Sequence, residues 1–498
     1  MTTLLDTTPS LCKTLQIDII SSLPGISTEL DHDLLVKRLL GMMSNNPELI
    51  PCILECIYNL CLPPKSPLIH DVIADAKQLL VTAEPVYLPS IIRSLLEFAD
   101  SNTSTDIIDE IRNKFGEFLS IFSQFTGEEQ RGTHSLYYPL LLLTYSFTHL
   151  FTYEGAHLNA QTLILNILTS TFQAKPLLLT SFQQILDSHK EHNSALIVDL
   201  WILFALAGSL KLRGKVSRIM AMKYGNNSIT KDTIRSAIHG FGVALDCSFD
   251  AILSLAQAML SSVMRIGPIG QYAQDCASIL YQEIYKEFAT ASKRQEVIAA
   301  IVSHAGSPYP REVDLALNIL QQISSNEMNV INRHLRDPNS NSYESEDGAP
   351  ATPYDATSIT LRNFIPFLKT LLEEIRNLTE NQLRILFRVL FQCATCLTIT
   401  KYMATPALTA SNTSIIDENT DDIIILLNKF AGNVDFKLQR IAIIGYVARL
   451  CQISVIPLMI PSISGDTCSK ALMLMLRQVN SSLSSSCLLT HSLTQSFR

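Results

Sequence analysis

Apolar residues recur along this chain every three or four positions, and no stretch alternates convincingly with the period of two that a strand requires. The pattern therefore predicts helices from end to end. Residues 28–43 open with Thr28-x-x-Asp31, a capping signature, and carry Leu30, Leu34, Leu35 and Leu39 on one side. Pro47, Pro67 and Pro89 each stand near the first turn of an apolar-periodic segment, 20 and 22 residues apart, which fits one helix plus one turn. Residues 105–122 repeat the stripe with Ile107, Ile108, Ile111, Phe115, Phe118, Leu119 and Phe122. Two helices in about 40 residues is the period of HEAT and armadillo stacks, so the expected fold is all-α, an elongated α-solenoid of HEAT/armadillo-like repeats.

A polar stretch at 124–135 predicts a loop, and helices resume at 136–150, 160–172, 176–188 and 192–210. Further periodic segments follow at 230–242, 249–264, 269–290, 293–304 and 310–324. Residues 337–358 contain three prolines and five acids without a base, a composition that cannot bury enough apolar surface to order itself. Periodicity returns at 359–377, 380–397, 422–431 and 437–451, and the Ser-rich end from 480 is expected to fray. The predicted organisation is N-terminal repeats over 1–123, a central block over 136–336, a disordered acidic linker over 337–358, C-terminal repeats over 359–479 and a tail over 480–498.

One stretch departs from the rest. From Leu200 to Ala207 every residue is apolar, predicting burial on all sides. The segment that follows is the most basic in the chain, with Lys211, Arg213, Lys215, Arg218 and Lys223 and no acid between Asp199 and Asp232. Lys211, Lys215 and Arg218 share one helical face, while Leu212, Val216 and Ile219 share another. The plain reading is one packing face and one solvated basic face.

Composition agrees with the helical pattern. Hydrophobic residues make up 47% of the 498 and charged residues 17%. Glycine, at 18 residues, is about half its usual ~7% share, which argues against glycine-rich phosphate loops and tight sheet turns. The formal net charge of −8 means that contact with nucleic acid must come from a local basic patch or from a partner. Eleven scattered cysteines read as reduced thiols of an intracellular protein. The apolar runs at 139–151 and 195–210 fall short of the ~20 residues a membrane span needs, so no membrane association is expected.

Catalytic spacings are missing: the chain has no P-loop, no dinucleotide fingerprint, no H-E-x-x-H and no nucleophile elbow. An enzyme is not expected, and neither is a cofactor or a metal site. Cys393-Ala-Thr-Cys396 lies inside an apolar helix without a second pair, which favours a place in the core over metal or redox use. His32, His70, His157 and His304 read as isolated surface or capping residues, and Trp201 as core.

Several stretches resemble the Fanconi anaemia group D2 family. LQIDIISSLP at 15–24, DIIDEIRNKF at 106–115, DLWILF at 199–204 with the following Lys215, ILSLAQAM at 252–259, EVDLAL at 312–317 and KLQRIAIIG at 437–445 occur in the family's order. The resemblance is collinear over most of residues 15–450, and order and spacing carry it rather than any single motif. It implies a nuclear helical scaffold in interstrand crosslink repair that pairs with the related Fanconi anaemia group I protein and encloses double-stranded DNA. It also implies one lysine that receives a single ubiquitin from a dedicated ligase and conjugating enzyme. Aligned without a gap from Asp199, the ubiquitin acceptor is Lys215, presented by a basic face of Lys211, Arg213, Arg218 and Lys223. Relatives carry a lysine pair where this chain has Gly214-Lys215, and their chains are much longer at both ends. A general α-solenoid adaptor for protein segments is the alternative, for which Lys215 is incidental.

Overall fold

The computed structural model describes residues 7–63, 66–126, 158–188, 193–244, 248–261, 267–288, 290–336, 365–404, 421–459 and 477. All regular structure among them is helical, and the fold is an all-α helical-repeat solenoid. None of these helices is long and apolar enough to cross a membrane. The expected helix at 136–150, the acidic linker at 337–358 and the tail from 480 lie outside the described residues. The chain divides into two compact units, Met1–Met259 with Ile266–Leu280, and Leu260–Arg265 with Tyr281–Arg498.

In the first unit the helices are α1 (Lys13–Ile26), α2 (His32–Asn45), α3 (Ile50–Asn59), α4 (Pro67–Thr82), α5 (Leu88–Phe98), α6 (Ser104–Thr126), α7 (Leu158–Ala174), α8 (Pro176–Ser188), α9 (Asn193–Ala207), α10 (Leu210–Gly225), α11 (Lys231–Ala244) and α12 (Ser248–Leu260). They pack in two rows. The odd-numbered helices from α1 to α11 each rest on the next odd one, and α2, α4, α6 and α8 do the same beside them. This is the arrangement that a helix with one apolar face cannot reach alone and a stack of helix pairs can. Helix α13 (Gly267–Glu287) leads into the second unit, where α14 (Ala291–Ala305) packs on α15 (Pro310–Arg336), α15 on α16 (Glu380–Ala404), and α16 and α17 (Asp421–Ala431) on α18 (Phe436–Met459).

Local chemistry sets the helix starts. Pro67 opens α4 behind Ser66, whose hydroxyl accepts the Leu68 N–H at 3.3 Å, and Pro89 is the second residue of α5. Pro47 begins a 3-10 turn, Pro47–Leu49, that runs into α3. The Thr28–Asp31 box forms, with Thr28 Oγ1 donating to Asp31 Oδ2 at 2.7 Å, but it caps a 3-10 turn, Glu29–Asp31, ahead of α2. Leu30 is consequently off the packing stripe and 94% exposed, and the stripe consists of Leu35, Val36, Leu39, Leu40 and Met43.

Helix ends differ from the expected ones in several places. Helix α6 continues through 124–126, α15 runs to Arg336, α16 to Ala404 and α18 to Met459. The expected helix at 359–377 is described only from 365, and after 370 it tightens into successive turns. There the amides of Leu371, Leu372 and Glu373 reach the carbonyls three residues back at 3.0–3.2 Å. The expected single helix at 192–210 is broken at Gly208 and Ser209, because Ser209 is extended (φ −78, ψ 123) and its carbonyl starts α10.

Cations from neighbouring segments close many of the helix C-termini. Lys114 of α6 donates to the Val81 carbonyl at the end of α4 at 2.9 Å, and Lys223 of α10 donates to the Leu186 carbonyl at the end of α8. Lys175, between α7 and α8, reaches the Leu96 carbonyl at 3.2 Å, that of Glu97, and that of Ala99 at 3.4 Å, at the end of α5. Arg294 of α14 binds the Tyr285 carbonyl of α13 at 3.2 Å. Each satisfies carbonyls that lack an intrahelical partner and meets the negative end of a helix dipole.

The two rows are also joined by a buried ion pair. Arg112 of α6 meets Asp199 of α9 with both prongs, Nε to Oδ1 at 2.5 Å and Nη2 to Oδ2 at 2.9 Å, and the residues are only 5% and 2% exposed. Removing one partner strands a buried charge, whereas replacing both with apolar groups strands none. Asp199→Leu alone is expected to lower unfolding stability by about 3–5 kcal/mol, and Arg112→Met with Asp199→Leu by much less. Chemical denaturation of the two variants checks this, and equal losses would contradict it.

Candidate functional site

Helix α9 is apolar all round because it is surrounded. It packs on α6, α7, α10 and α11, and Leu200, Leu203, Phe204, Leu206 and Ala207 have almost no exposure. Trp201 is half-buried, and its indole N–H donates to the Ala237 carbonyl of α11 at 2.9 Å. Asp199, the one charged residue in the apolar run at 195–210, is what ties this helix to Arg112. The signal for that partner was an ionised residue in a run that burial would otherwise have excluded.

Helix α10 has the two faces its spacing predicts. Leu212, Val216, Ile219 and Met220 are buried, while Lys211, Gly214, Lys215 and Arg218 are exposed on the opposite side. None of the three cations on that side has a hydrogen-bond or ion-pair partner among the described residues.

The other two basic residues do different work. Arg213 is half-buried and its Nε donates to the Ala207 carbonyl at 3.0 Å, closing the end of α9. Lys223 is 8% exposed, its ammonium held by the Leu186 carbonyl and by Asp187 at 2.8 Å. Both were expected on the presenting face. Each is instead turned inward, because an uncapped helix end lies within reach and an ammonium or guanidinium satisfies it. The free basic face is thus Lys211, Lys215 and Arg218, while the Lys223 ammonium is engaged by α8.

Elsewhere a few titratable groups are packed inward. Cys393 and Cys396 of α16 are buried, and burial pushes the Cys393 thiol up to about 12, leaving it inert as a nucleophile. The Cys396 thiol lies 3.7 Å from the Met328 sulfur. His304, expected to stand alone, is paired: Nδ1 lies 2.6 Å from Glu312 Oε1, and Ser307 donates to the other carboxylate oxygen at 2.5 Å, fixing the turn between α14 and α15. His157 lies outside the described residues. Among the described residues no group of three or more His, Cys, Asp or Glu is arranged to hold a metal ion.

Two glycines of α10 have opposite roles, which the sequence does not distinguish. A Cβ on Gly214 would meet nothing within 4 Å, whereas one on Gly225 would stand 2.3 Å from the Tyr272 ring of α13. Gly214→Ala is expected to raise stability by about 1 kcal/mol through helix propensity. Gly225→Ala is expected to lower it by about 1–3 kcal/mol through overpacking. Thermal unfolding of the two variants checks the sign, and a destabilised Gly214→Ala would mean that this position needs glycine for its backbone.

Comparison with known proteins points one way. The family described as "Fanconi anaemia protein FancD2 nuclease" matches residues 2–334. The mouse Fanconi anemia group D2 protein homolog is 24% identical over 441 residues, covering 87% of this chain and 26% of its own. The rat homolog is 22% identical over the same length, with the same shares. The chicken Fanconi anemia group D2 protein is 20% identical over 385 residues, 76% of this chain and 23% of that one. This chain spans about a quarter of the length of these relatives. With the family matched across two thirds of the chain, on the helices that carry the buried ion pair and the basic face, this protein belongs to the Fanconi anaemia FancD2 family.

Proposed function

We propose that this chain is a DNA-repair scaffold whose α10 presents Lys215 as the acceptor for a single ubiquitin. The observation that carries the reading is the position of Lys215 on the solvent face of a helix whose other face is anchored in the core, in a member of this family. Transfer requires the ε-amine to attack the carbonyl carbon of a ubiquitin thioester. The C–N bond forms, the C–S bond breaks, the thiolate leaves and the amine's proton passes to solvent. Such an amine must be reachable from outside, and a buried, hydrogen-bonded ammonium such as that of Lys223 is not.

The scaffold works in the nucleus with the Fanconi anaemia group I protein, a ubiquitin ligase and its conjugating enzyme, and duplex DNA. The role proposed is a scaffold's, although the family's description includes the word nuclease.

Reconstituted transfer with the cognate ligase and conjugating enzyme tests the acceptor. Lys215→Arg keeps the charge, removes the amine and is expected to abolish single-ubiquitin modification. Modification that persists at the wild-type rate overturns the assignment and moves it to Lys211.

DNA contact by this chain alone is expected to be weak and salt-sensitive, since the three free cations of α10 neutralise few phosphates in a chain of net charge −8. The logarithm of affinity should fall against the logarithm of salt with a slope of about −3. Fluorescence anisotropy with a short duplex measures it. Tight binding that survives high salt would place the contact elsewhere.

A further inference from the structure

The cations that turned inward suggest a division of labour within α10. Arg213 sits one turn into the helix and binds back to the last carbonyl of α9, and Lys223 sits in its last turn and binds the Leu186 carbonyl and Asp187 of α8. The two attachments run to different helices. They hold the two ends of α10 independently of the apolar face between them, which is Leu212, Val216, Ile219 and Met220.

Gly214 lies directly beside the first attachment. It is exposed, a Cβ there would meet nothing within 4 Å, and glycine is the residue type, proline apart, least committed to helix. Without Arg213 the first turn, with Lys211 in it, is joined to the rest of α10 through the weakest helical position in the segment. With Arg213 bound to Ala207, that turn is held against the end of α9. Lys211, Lys215 and Arg218 then keep a fixed order on one face.

We propose that Arg213 and Lys223 are positioning residues that clamp α10 at both ends, so that an incoming thioester meets Lys215 in a fixed orientation and Lys211 does not compete. This rests on the reading of Lys215 as the acceptor. A clamp restricts which amine approaches the reacting carbon, and misplacement of a nucleophile by about 1 Å is enough to change a rate by one to two orders of magnitude.

The test uses the full chain in two measurements. In reconstituted ubiquitin transfer with sites mapped by peptide mass spectrometry, Arg213→Gln is expected to slow modification at Lys215 about tenfold and to divert part of it to Lys211. Arg213→Lys, which can still reach a carbonyl as Lys114 and Lys175 do, is expected to restore both rate and site. In hydrogen exchange, Arg213→Gln is expected to speed the amides of 211–215, and Lys223→Met those of 219–225, with the rest of the unit unchanged.

A uniform loss of stability in Arg213→Gln with unchanged rate and site would make the residue merely structural and overturn the clamp, while leaving Lys215 as acceptor. If Lys215→Arg is still modified, the acceptor reading falls. The clamp is then judged by exchange alone, and wild-type exchange at 211–215 in Arg213→Gln overturns it.

Discussion

The Arg112–Asp199 pair is the constraint on which the first unit's geometry turns. Two opposite charges 5% and 2% exposed are tolerable only when they face each other with both prongs engaged, so α6 and α9 have one admissible register. An apolar interface between the same helices would accept small slides along the axis, and this one does not. Everything around α9 inherits that register. Thr169 of α7 donates to the Ala205 carbonyl at 3.2 Å, Trp201 reaches α11, and the break at Gly208 and Ser209 sets where α10 begins.

Because α10 begins there, its solvent face is determined before any of its own residues are considered. The apolar side meets the core through Leu212, Val216 and Ile219, and the opposite side is left with Lys211, Gly214, Lys215 and Arg218. From Ile202 to Ala207 helix α9 is buried. Its contribution is rigidity, and Asp199, paired with Arg112, is where that rigidity is anchored.

Helix identity was legible in the sequence because burial on one face imposes a 3.6-residue period on every segment, and the Pro and Thr-x-x-Asp signals act locally. The two faces of α10 were legible for the same reason. What the sequence did not reveal depends on contacts between distant residues. Helical spacing sets Arg213 and Lys223 off the face shared by Lys211, Lys215 and Arg218, but does not show that each of the two has a distant helix end within reach. Gly214 and Gly225 are alike until Tyr272 of α13 is placed against one of them. His304 read as isolated because its partner Glu312 lies across a turn, in the next helix. Leu30 misled because a 3-10 turn rotates its residues away from the stripe that an α-helix would continue.

The capping cations have one more consequence, for how the chain can be divided. Among the even-numbered helices Lys114 of α6 closes α4 and Lys223 of α10 closes α8, so a helix end depends on a residue two helices further along. A fragment cut between α9 and α10 would contain all of α8 and still expose its terminal carbonyls. Repeats of this kind are not interchangeable bricks. They overlap like roof tiles, each fastened by the one laid after it, and a boundary drawn at the end of a helix pair leaves the last tile unfastened.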